Sequence, residues 1–211
     1  MYTLFYSPAT ASMVVHQALL EIGAPHELKL VAFDKDEQHG AAYLKLNPHG
    51  TVPTLVIDGR AMTESAAILM MLCDRHPEAK LAPPIGTAER DAWYQWIVYL
   101  SNTLAATYRF WFYPPDLGAE EHPPAVKAAL QKKIESVWGR LDAHLAANGP
   151  YLLGNDFSAA DLLLIMLMRW SRNMPRPALQ WPHLKVLADK VRARESWKAM
   201  CEREGLTEWL A

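Results

Sequence analysis

The spacing of hydrophobic and polar positions predicts a strand, a helix and a second strand at the start of the chain. Residues 2–6 form a short apolar run, and residues 26–33 alternate with a period of two. Between them, residues 15–22 repeat apolar side chains at helical spacing until Gly23, a typical helix stop. This βαβ unit implies two parallel strands joined by a right-handed crossover.

The pattern then predicts a short irregular helix, a hairpin and a longer helix. The short helix falls at residues 41–46, and residues 54–62 form the hairpin around an Asp-Gly turn. Residues 65–75 return to helical spacing. The order βαβ-α-ββα is the thioredoxin-like arrangement, which we assign to a first domain at residues 1–78.

The rest of the chain carries only the helical period. Proline and glycine without an apolar period predict a linker at residues 79–86. An all-helical bundle domain is predicted for residues 87–211, so the fold class is α/β followed by all-α. The predicted helices lie at residues 88–112, 124–147, 158–172, 183–193 and 196–204.

One helix of this bundle has a well-defined beginning at Ser158. The Ser158 side chain can cap the N–H group of Asp161, and the Asp161 carboxylate can reach back to the N–H group of Ser158. Such a reciprocal capping box stabilises a helix end, and we therefore assign the pair to folding and not to catalysis.

Charge and composition exclude several classes of function. The net charge is −2 and the basic residues are scattered, which argues against a nucleic-acid partner. The longest apolar run, residues 162–168, is too short to span a membrane, and the N-terminus lacks the pattern of a secretory signal. Cys73 and Cys201 form no Cys-x-x-Cys motif, which favours reduced thiols in the cytoplasm. We expect no metal cofactor and no membrane partner.

The loop at residues 47–55 predicts a receptor for a small peptide. Its Val52-Pro53 step lies directly before a strand and is a candidate cis peptide bond, which usually shapes a tight turn. The turn would leave the backbone N–H and C=O of Val52 free to pair with an extended peptide. Glu64 and Ser65, at the start of the next helix, would offer N–H groups and a hydroxyl to an anion. The ligand expected from these groups is a small peptide with a free carboxylate.

Four segments together resemble the cytosolic glutathione transferases. They are Ser7-Pro8-Ala9-Thr10-Ala11-Ser12, Asn47-Pro48-x-Gly50-x-Val52-Pro53-x-Leu55, Thr63-Glu64-Ser65-x-Ala67-Ile68 and Gly154-x-x-Phe157-Ser158-x-Ala160-Asp161. Each is weak alone, but the four occur in this order over essentially the whole chain. Within the family the chain looks most like bacterial members near the beta class, with the serine/threonine-type classes as neighbours.

The resemblance implies that glutathione is the cosubstrate and binds the first domain. The cysteine backbone of glutathione would pair with Val52 beside Pro53. The γ-glutamyl carboxylate would lie at Ser65, and Glu64 would take the γ-glutamyl ammonium group. His49 could hydrogen-bond the glycyl carboxylate.

The chemistry implied is activation of the glutathione thiol for attack on a small hydrophobic electrophile. A free thiol has a pKa of about 8.5, which hydrogen-bond donors and helix N-termini lower. Thr10 and Ser12 are the candidate donors, with Ser7, Tyr6 and backbone N–H groups as alternatives. Ala11 stands where beta-class members carry a cysteine, so we expect no mixed disulfide with glutathione.

The electrophile is expected to contact the first helix of the second domain, which in this family faces the glutathione site. Tyr108, Arg109 and Trp111 combine aromatic surface with a cation, which suits an apolar or anionic substrate. The alternative is that these aromatic side chains form bundle core.

Three other functions compete with a transferase. The first is a non-catalytic transferase-like binding or interaction protein, and the others are a glutathione-dependent reductase and an isomerase. The intact Glu64-Ser65 pair and the hydroxyls of Thr10 and Ser12 favour the transferase. The resemblance also implies a homodimer.

Overall fold

A computed structural model describes residues 1–210, which contain one four-stranded sheet and nine α-helices. The strands are β1 (Tyr2–Tyr6), β2 (His26–Leu30), β3 (Thr54–Ile57) and β4 (Arg60–Met62). The helices are α1 (Ser12–Ile22), α2 (Ala41–Leu44), α3 (Ser65–Arg75), α4 (Ala88–Tyr99), α5 (Ala106–Phe112), α6 (Pro124–Asn148), α7 (Ala159–Trp170), α8 (Pro182–Arg192) and α9 (Glu195–Arg203). Short 3₁₀ turns lie at Phe33–Lys35, Glu37–His39, Pro77–Ala79, Pro114–Leu117 and Ala178–Gln180.

The sheet has the order β2-β1-β3-β4, with β1 parallel to β2 and antiparallel to β3. Its centre is apolar, since Leu4 and Leu55 pair across β1 and β3 and have no exposed surface. Helix α1 follows β1 and ends at Gly23, whose φ of 70° is in the left-handed region that favours glycine. The predicted thioredoxin-like half followed by a helical half is confirmed.

The chain divides into two compact units. The first comprises Met1–Ala82 together with residues 191–210, and the second comprises Pro83–Lys190. The last helix belongs to the first unit because α9 packs on α1. Both Arg194 guanidinium bonds to the Glu21 carboxylate are 2.6 Å long. Helical periodicity in residues 191–210 predicts a helix but does not identify the surface on which it packs.

The second unit differs from its sequence pattern in one place. The pattern predicts a continuous helix over residues 88–112, whereas a π-helical turn, Leu100–Ala105, separates α4 from α5. The backbone N–H of Ala106 donates to Ser101 in the wider hydrogen-bonding pattern of this turn. A single wide turn changes the helical period too little to be recognised in the spacing of apolar residues.

The predicted capping box at the start of α7 is confirmed. The buried Asp161 carboxylate accepts hydrogen bonds from the N–H of Leu152 at 2.9 Å, the N–H of Ser158 at 2.9 Å and the Ser158 hydroxyl at 3.1 Å. Complete burial raises the pKa of Asp161 to about 6. Among the described residues, no helix has both the length and the apolar character needed to cross a bilayer.

Candidate functional site

Three loops of the first unit meet at one edge of the sheet. Phe5, near the end of β1, pairs with Thr54 at the start of β3. Leu55 in turn pairs with Met62 at the end of β4. Because β1 and β4 end where β3 begins, the sheet brings together the loop before α1, the loop around Val52 and the N-terminus of α3. The topology therefore gathers the predicted binding groups at this edge.

Two hydroxyls lie at the start of α1 and share one carbonyl. The Thr10 hydroxyl is 2.7 Å from the Ser7 carbonyl oxygen and 2.9 Å from the Ser12 hydroxyl. The Ser12 hydroxyl is 3.0 Å from the same carbonyl and accepts a bond from the Ser7 N–H at 3.3 Å. Ser12 is completely buried, whereas Thr10 is partly exposed.

Exposure, and not hydrogen-bonding capacity, distinguishes these two hydroxyls. Each hydroxyl has one proton to donate and can accept further bonds. Both hydroxyls donate to the Ser7 carbonyl, and the bond from Ser12 would remain if the Thr10 hydroxyl turned its proton toward a ligand. Of the two predicted donors, the structure exposes Thr10 and encloses Ser12 within the loop. Ala11, the N-cap of helix α1, makes no side-chain cap bond, and the N–H groups of Ser12 and Met13 donate to Thr10 at 3.4 and 3.1 Å.

The Glu204 carboxylate bonds to the loop before α1, and the sequence pattern did not predict this contact. Glu204 accepts a bond from the N–H of Ala9 at 3.3 Å and one from Nδ1 of His16 at 2.8 Å. The side chains of His16 and Glu204 have no exposed surface. Ala9 has a φ of 63°, an uncommon conformation for a residue other than glycine. Since 188 residues separate His16 from Glu204, no local pattern could connect them.

Side chains beneath the loop around Val52 hold it by hydrogen bonds. The Tyr43 hydroxyl donates to the Thr51 carbonyl at 2.6 Å, and the Asn47 amide donates to the same carbonyl at 2.7 Å. The Val52-Pro53 peptide bond is cis, as predicted. Among the described residues, the backbone N–H and C=O of Val52 have no hydrogen-bonding partner. They remain available to pair with a bound chain.

Two neighbouring positions in this loop have different constraints. Gly50 has a φ of 61°, and a Cβ atom there would lie 2.8 Å from the His39 ring and 3.1 Å from the Gln38 carbonyl. Only glycine fits at position 50, because a Cβ atom would collide with these neighbours. His49, by contrast, is exposed, and its backbone N–H donates to the Asn47 side chain at 3.0 Å.

The N-terminus of α3 presents unpaired donors. No side chain caps it, and its first backbone bond runs from Ile68 to Glu64 at 2.9 Å. The N–H groups of the first turn and the partly exposed Ser65 hydroxyl therefore offer hydrogen bonds to an anion, which the helix dipole also favours. Glu64 is exposed beside them with a φ of 66°.

The strained backbone of Glu64 predicts that replacing this residue with glycine raises stability but weakens ligand binding. A left-handed φ in a residue other than glycine costs about 1 kcal/mol or more. We therefore expect Glu64→Gly to raise the unfolding free energy by about 1 kcal/mol and to weaken about tenfold the binding of glutathione, the ligand that the family resemblance implies. Thermal unfolding and titration calorimetry measure the two effects. Glu64→Gln is the matched control, because it keeps the strained backbone and removes only the charge. Equal stability of the glycine and glutamine variants would contradict the prediction.

The three residues predicted to contact the electrophile have different surroundings in the second unit. Tyr108 is fully buried, with its ring 5.7 Å from that of Phe112 and its pKa raised by burial. Arg109 is exposed and donates through Nε to Asp116 at 2.5 Å. Trp111 is partly exposed. The structure therefore brings Arg109 and Trp111 to the surface and places Tyr108 beneath it.

Within residues 1–210, the histidine, cysteine, aspartate and glutamate side chains form no group of three or more that could hold a metal ion.

Family comparisons match both halves of the chain. Residues 10–75 match the model described as "Glutathione S-transferase, N-terminal domain". Residues 103–209 match the model described as "Glutathione S-transferase, C-terminal domain".

Individual relatives are similar over nearly their whole length. Glutathione S-transferase GstA of Escherichia coli O157:H7 is 30% identical over 206 residues, which cover 96% of this chain and 98% of the relative. A sphingomonad glutathione S-transferase solved in complex with glutathione is 30% identical, with a TM-score of 0.86 and coverage of 97% and 100%. A beta-class enzyme from Sphingomonas chungbukensis is 29% identical, with a TM-score of 0.85 and the same coverage.

Proposed function

The chain belongs to the glutathione S-transferase family, and on this premise we propose that it binds glutathione at the sheet edge and transfers it to a hydrophobic electrophile. One observation carries the proposal. At one edge of the sheet, the partly exposed Thr10 hydroxyl lies after β1, the unpaired backbone of Val52 lies before β3, and the uncapped N-terminus of α3 lies after β4.

These three groups suit the thiol, the cysteine backbone and the γ-glutamyl carboxylate of glutathione. The extended backbone of its cysteine residue pairs with the N–H and C=O of Val52, as an added strand pairs with a sheet edge. The γ-glutamyl carboxylate accepts bonds from Ser65 and the first N–H groups of α3. Glu64 pairs with the γ-glutamyl ammonium group, and His49 is the proposed contact of the glycyl carboxylate. Pro53 positions the paired segment.

Thr10 then acts on the sulfur. Its hydroxyl donates to the thiolate, while Ser12 supports the loop through its bond to the Ser7 carbonyl. The donated bond and the N-terminus of α1 stabilise the charged form of the thiol and lower its pKa. The thiolate attacks the electrophilic carbon, a carbon–sulfur bond forms, and the leaving group departs with the bonding electron pair. The thiol proton passes to solvent.

Arg109 and Trp111 are the proposed contacts of the electrophile on the second unit. Trp111 offers an aromatic face, and the Arg109 guanidinium lies 3.9 Å from the centre of the Tyr113 ring. A cation held over an aromatic ring suits electrophiles that combine an apolar body with an electron-rich substituent. Tyr108 supports this surface from beneath, through its stacking on Phe112.

The proposal is tested by glutathione titration calorimetry and by the rate of conjugation to chlorodinitrobenzene. Binding together with conjugation above the uncatalysed rate supports a transferase. Binding without conjugation, of this and of other aryl halides and enones, would favour a non-catalytic binding protein. The family resemblance also leads us to propose a homodimer, which analytical ultracentrifugation tests.

Ser65 provides the sharpest test of the carboxylate position. Loss of one hydrogen bond to a charged group costs about 1.5–3 kcal/mol. We therefore expect Ser65→Ala to raise the Kd for glutathione at least about tenfold and to leave turnover at saturating glutathione nearly unchanged. Ser136→Ala, on the exposed face of α6, is the matched control. An unchanged Kd in Ser65→Ala would remove Ser65 from the site.

A further inference from the structure

Three side chains form a relay in the first unit that the transferase site does not use. The hydroxyl of Tyr2 lies 2.8 Å from Nε2 of His76, and Nδ1 of His76 lies 3.0 Å from the Glu78 carboxylate. Tyr2 begins β1, so the relay lies at the sheet edge opposite to the end of β1 that leads to Thr10. His76 directly follows α3, and Glu78 lies two residues later in the 3₁₀ turn that Pro77 begins.

Only one arrangement of protons satisfies all three groups when His76 is neutral. The ionised Glu78 carboxylate can only accept hydrogen bonds, so Nδ1 of His76 must carry the imidazole proton. The pKa of Glu78 is lowered by a bond from its own backbone N–H and by the bond from His76, which keeps the carboxylate ionised. Nε2 then carries a lone pair, and the Tyr2 hydroxyl must donate to it. The phenol thus faces a base that a carboxylate holds in the required tautomer.

This order of groups is the one that activates a nucleophile. A hydroxyl, an imidazole that accepts its proton and a carboxylate that orients the imidazole together make a weak nucleophile reactive. The relay is also accessible, because Tyr2 is partly exposed and 24% of the His76 side-chain surface is exposed. The Tyr2 and His76 rings meet edge to face with their centroids 5.9 Å apart, which limits rotation of the imidazole.

Two other tyrosines, Tyr6 and Tyr151, have different surroundings and serve as references. Tyr6 lies on the same strand and, by the alternation of side chains, on the same face as Tyr2. Burial and the nearby Glu204 raise the pKa of Tyr6, so its phenolate is disfavoured. Tyr151 is partly buried like Tyr2, and its ring lies 5.5 Å from that of Phe157.

We propose that Tyr2 is a nucleophilic acyl-acceptor site for activated esters, with His76 as its general base and Glu78 as the residue that positions His76. The Tyr2 oxygen attacks the carbonyl carbon of an aryl ester, and a new tyrosine ester bond forms. The bond to the leaving aryl oxygen breaks, and that oxygen departs as the phenolate. The phenol proton of Tyr2 moves to Nε2 of His76 and from there to solvent.

The test uses p-nitrophenyl acetate and the intact protein. Release of p-nitrophenolate gives the rate, and mass spectrometry of the tryptic peptide 1–29 locates the acetyl group. This peptide holds both Tyr2 and Tyr6, and fragment ions distinguish them from the Met1 amine. Hydroxylamine removes an acetyl group from a tyrosine ester but not from an amide, so it separates labelling of Tyr2 from labelling of the amine.

A general base typically contributes about 10²–10⁴-fold to a rate. We expect acetylation of Tyr2 at least about tenfold faster than of Tyr6 or Tyr151, and Tyr2→Phe should reduce the hydroxylamine-sensitive label on peptide 1–29 to the slower labelling of Tyr6. His76→Gln keeps a polar side chain without a base and should slow Tyr2 acetylation at least about tenfold. Glu78→Gln should slow it by a smaller factor, because it removes only the group that orients the imidazole.

Two results would overturn the proposal. One is Tyr2 acetylated no faster than Tyr151, and the other is a His76→Gln variant acetylated as fast as the parent protein. Rates at Tyr151 measured in the same digests, with thermal unfolding of each variant, show whether a variant remains folded. The relay shares no residue with the proposed transferase site, so conjugation to chlorodinitrobenzene should be unchanged in all three variants.

Discussion

Replacing Thr10 with valine is expected to reduce conjugation of glutathione about 10²-fold at neutral pH. Valine keeps the branched shape of threonine and removes only the hydroxyl that we propose to donate to the thiolate. Loss of a single donor aimed at a developing or bound anion typically costs about 10²–10³ in rate. Because Val52 and the N-terminus of α3 remain intact, the Kd for glutathione should change much less than the rate.

The pH profile separates this role from a structural one. Without the Thr10 donor, the pKa of bound glutathione should return toward the value of about 8.5 for a free thiol. The rate of Thr10→Val should therefore rise with pH and approach that of the parent protein in alkaline solution. Thr3→Val on β1 is the matched control, since it makes the same change at a position outside the site. Equal profiles for parent and Thr10→Val would show that another donor, such as a backbone N–H of α1, acts on the sulfur.

Replacing Asp161 with alanine is expected to cost about 3 kcal/mol or more of unfolding free energy. The change leaves the N–H groups of Leu152 and Ser158 buried without acceptors, and each such loss costs about 1–3 kcal/mol. For a chain of this size, the midpoint of thermal unfolding should fall by roughly 10 °C. Asp156→Ala is the matched control, because Asp156 is an exposed carboxylate in the same loop. A midpoint equal to that of the control would contradict the prediction.

The direction of the pH dependence follows from the pKa of Asp161. Burial raises this pKa to about 6, above the value of about 3.9 for an unfolded chain. The folded protein therefore binds the proton more tightly, so this group contributes most to stability below about pH 4, and the contribution is lost as the pH rises toward 6. Asp161→Asn cannot titrate and should lack this component when unfolding free energy is measured against pH.

Local signals in the sequence predicted most of the first unit. Gly23 marked the end of α1, and the Asp-Gly turn predicted the β3–β4 hairpin. In the second unit, the capping box at Ser158 was equally local, because its partners lie three residues apart. Each of these features depends on groups close together in the chain, which is why periodicity and turn chemistry reveal them.

The features that were not predicted depend on distant residues or on small changes of geometry. Glu204 reaches Ala9 across 195 residues, and Tyr2 meets His76 across 74 residues. The choice between Thr10 and Ser12 needed three-dimensional information, because burial separates two hydroxyls of nearly equal chemistry. The π-helical turn at Leu100–Ala105 was missed because the helical period on both sides of it is normal.

The bond from Glu204 to the loop before α1 has a consequence for synthesis on the ribosome. Residues 1–82 emerge before residues 83–190, yet the carboxylate that holds Ala9 and His16 is translated after both segments. Residues 83–190 can fold as a unit while the nascent first unit still lacks α9. The loop that carries Thr10 therefore reaches its final arrangement only after residue 204 has left the exit tunnel. Under the mechanism that we propose, a ribosome stalled before that point should display a polypeptide unable to activate a thiol.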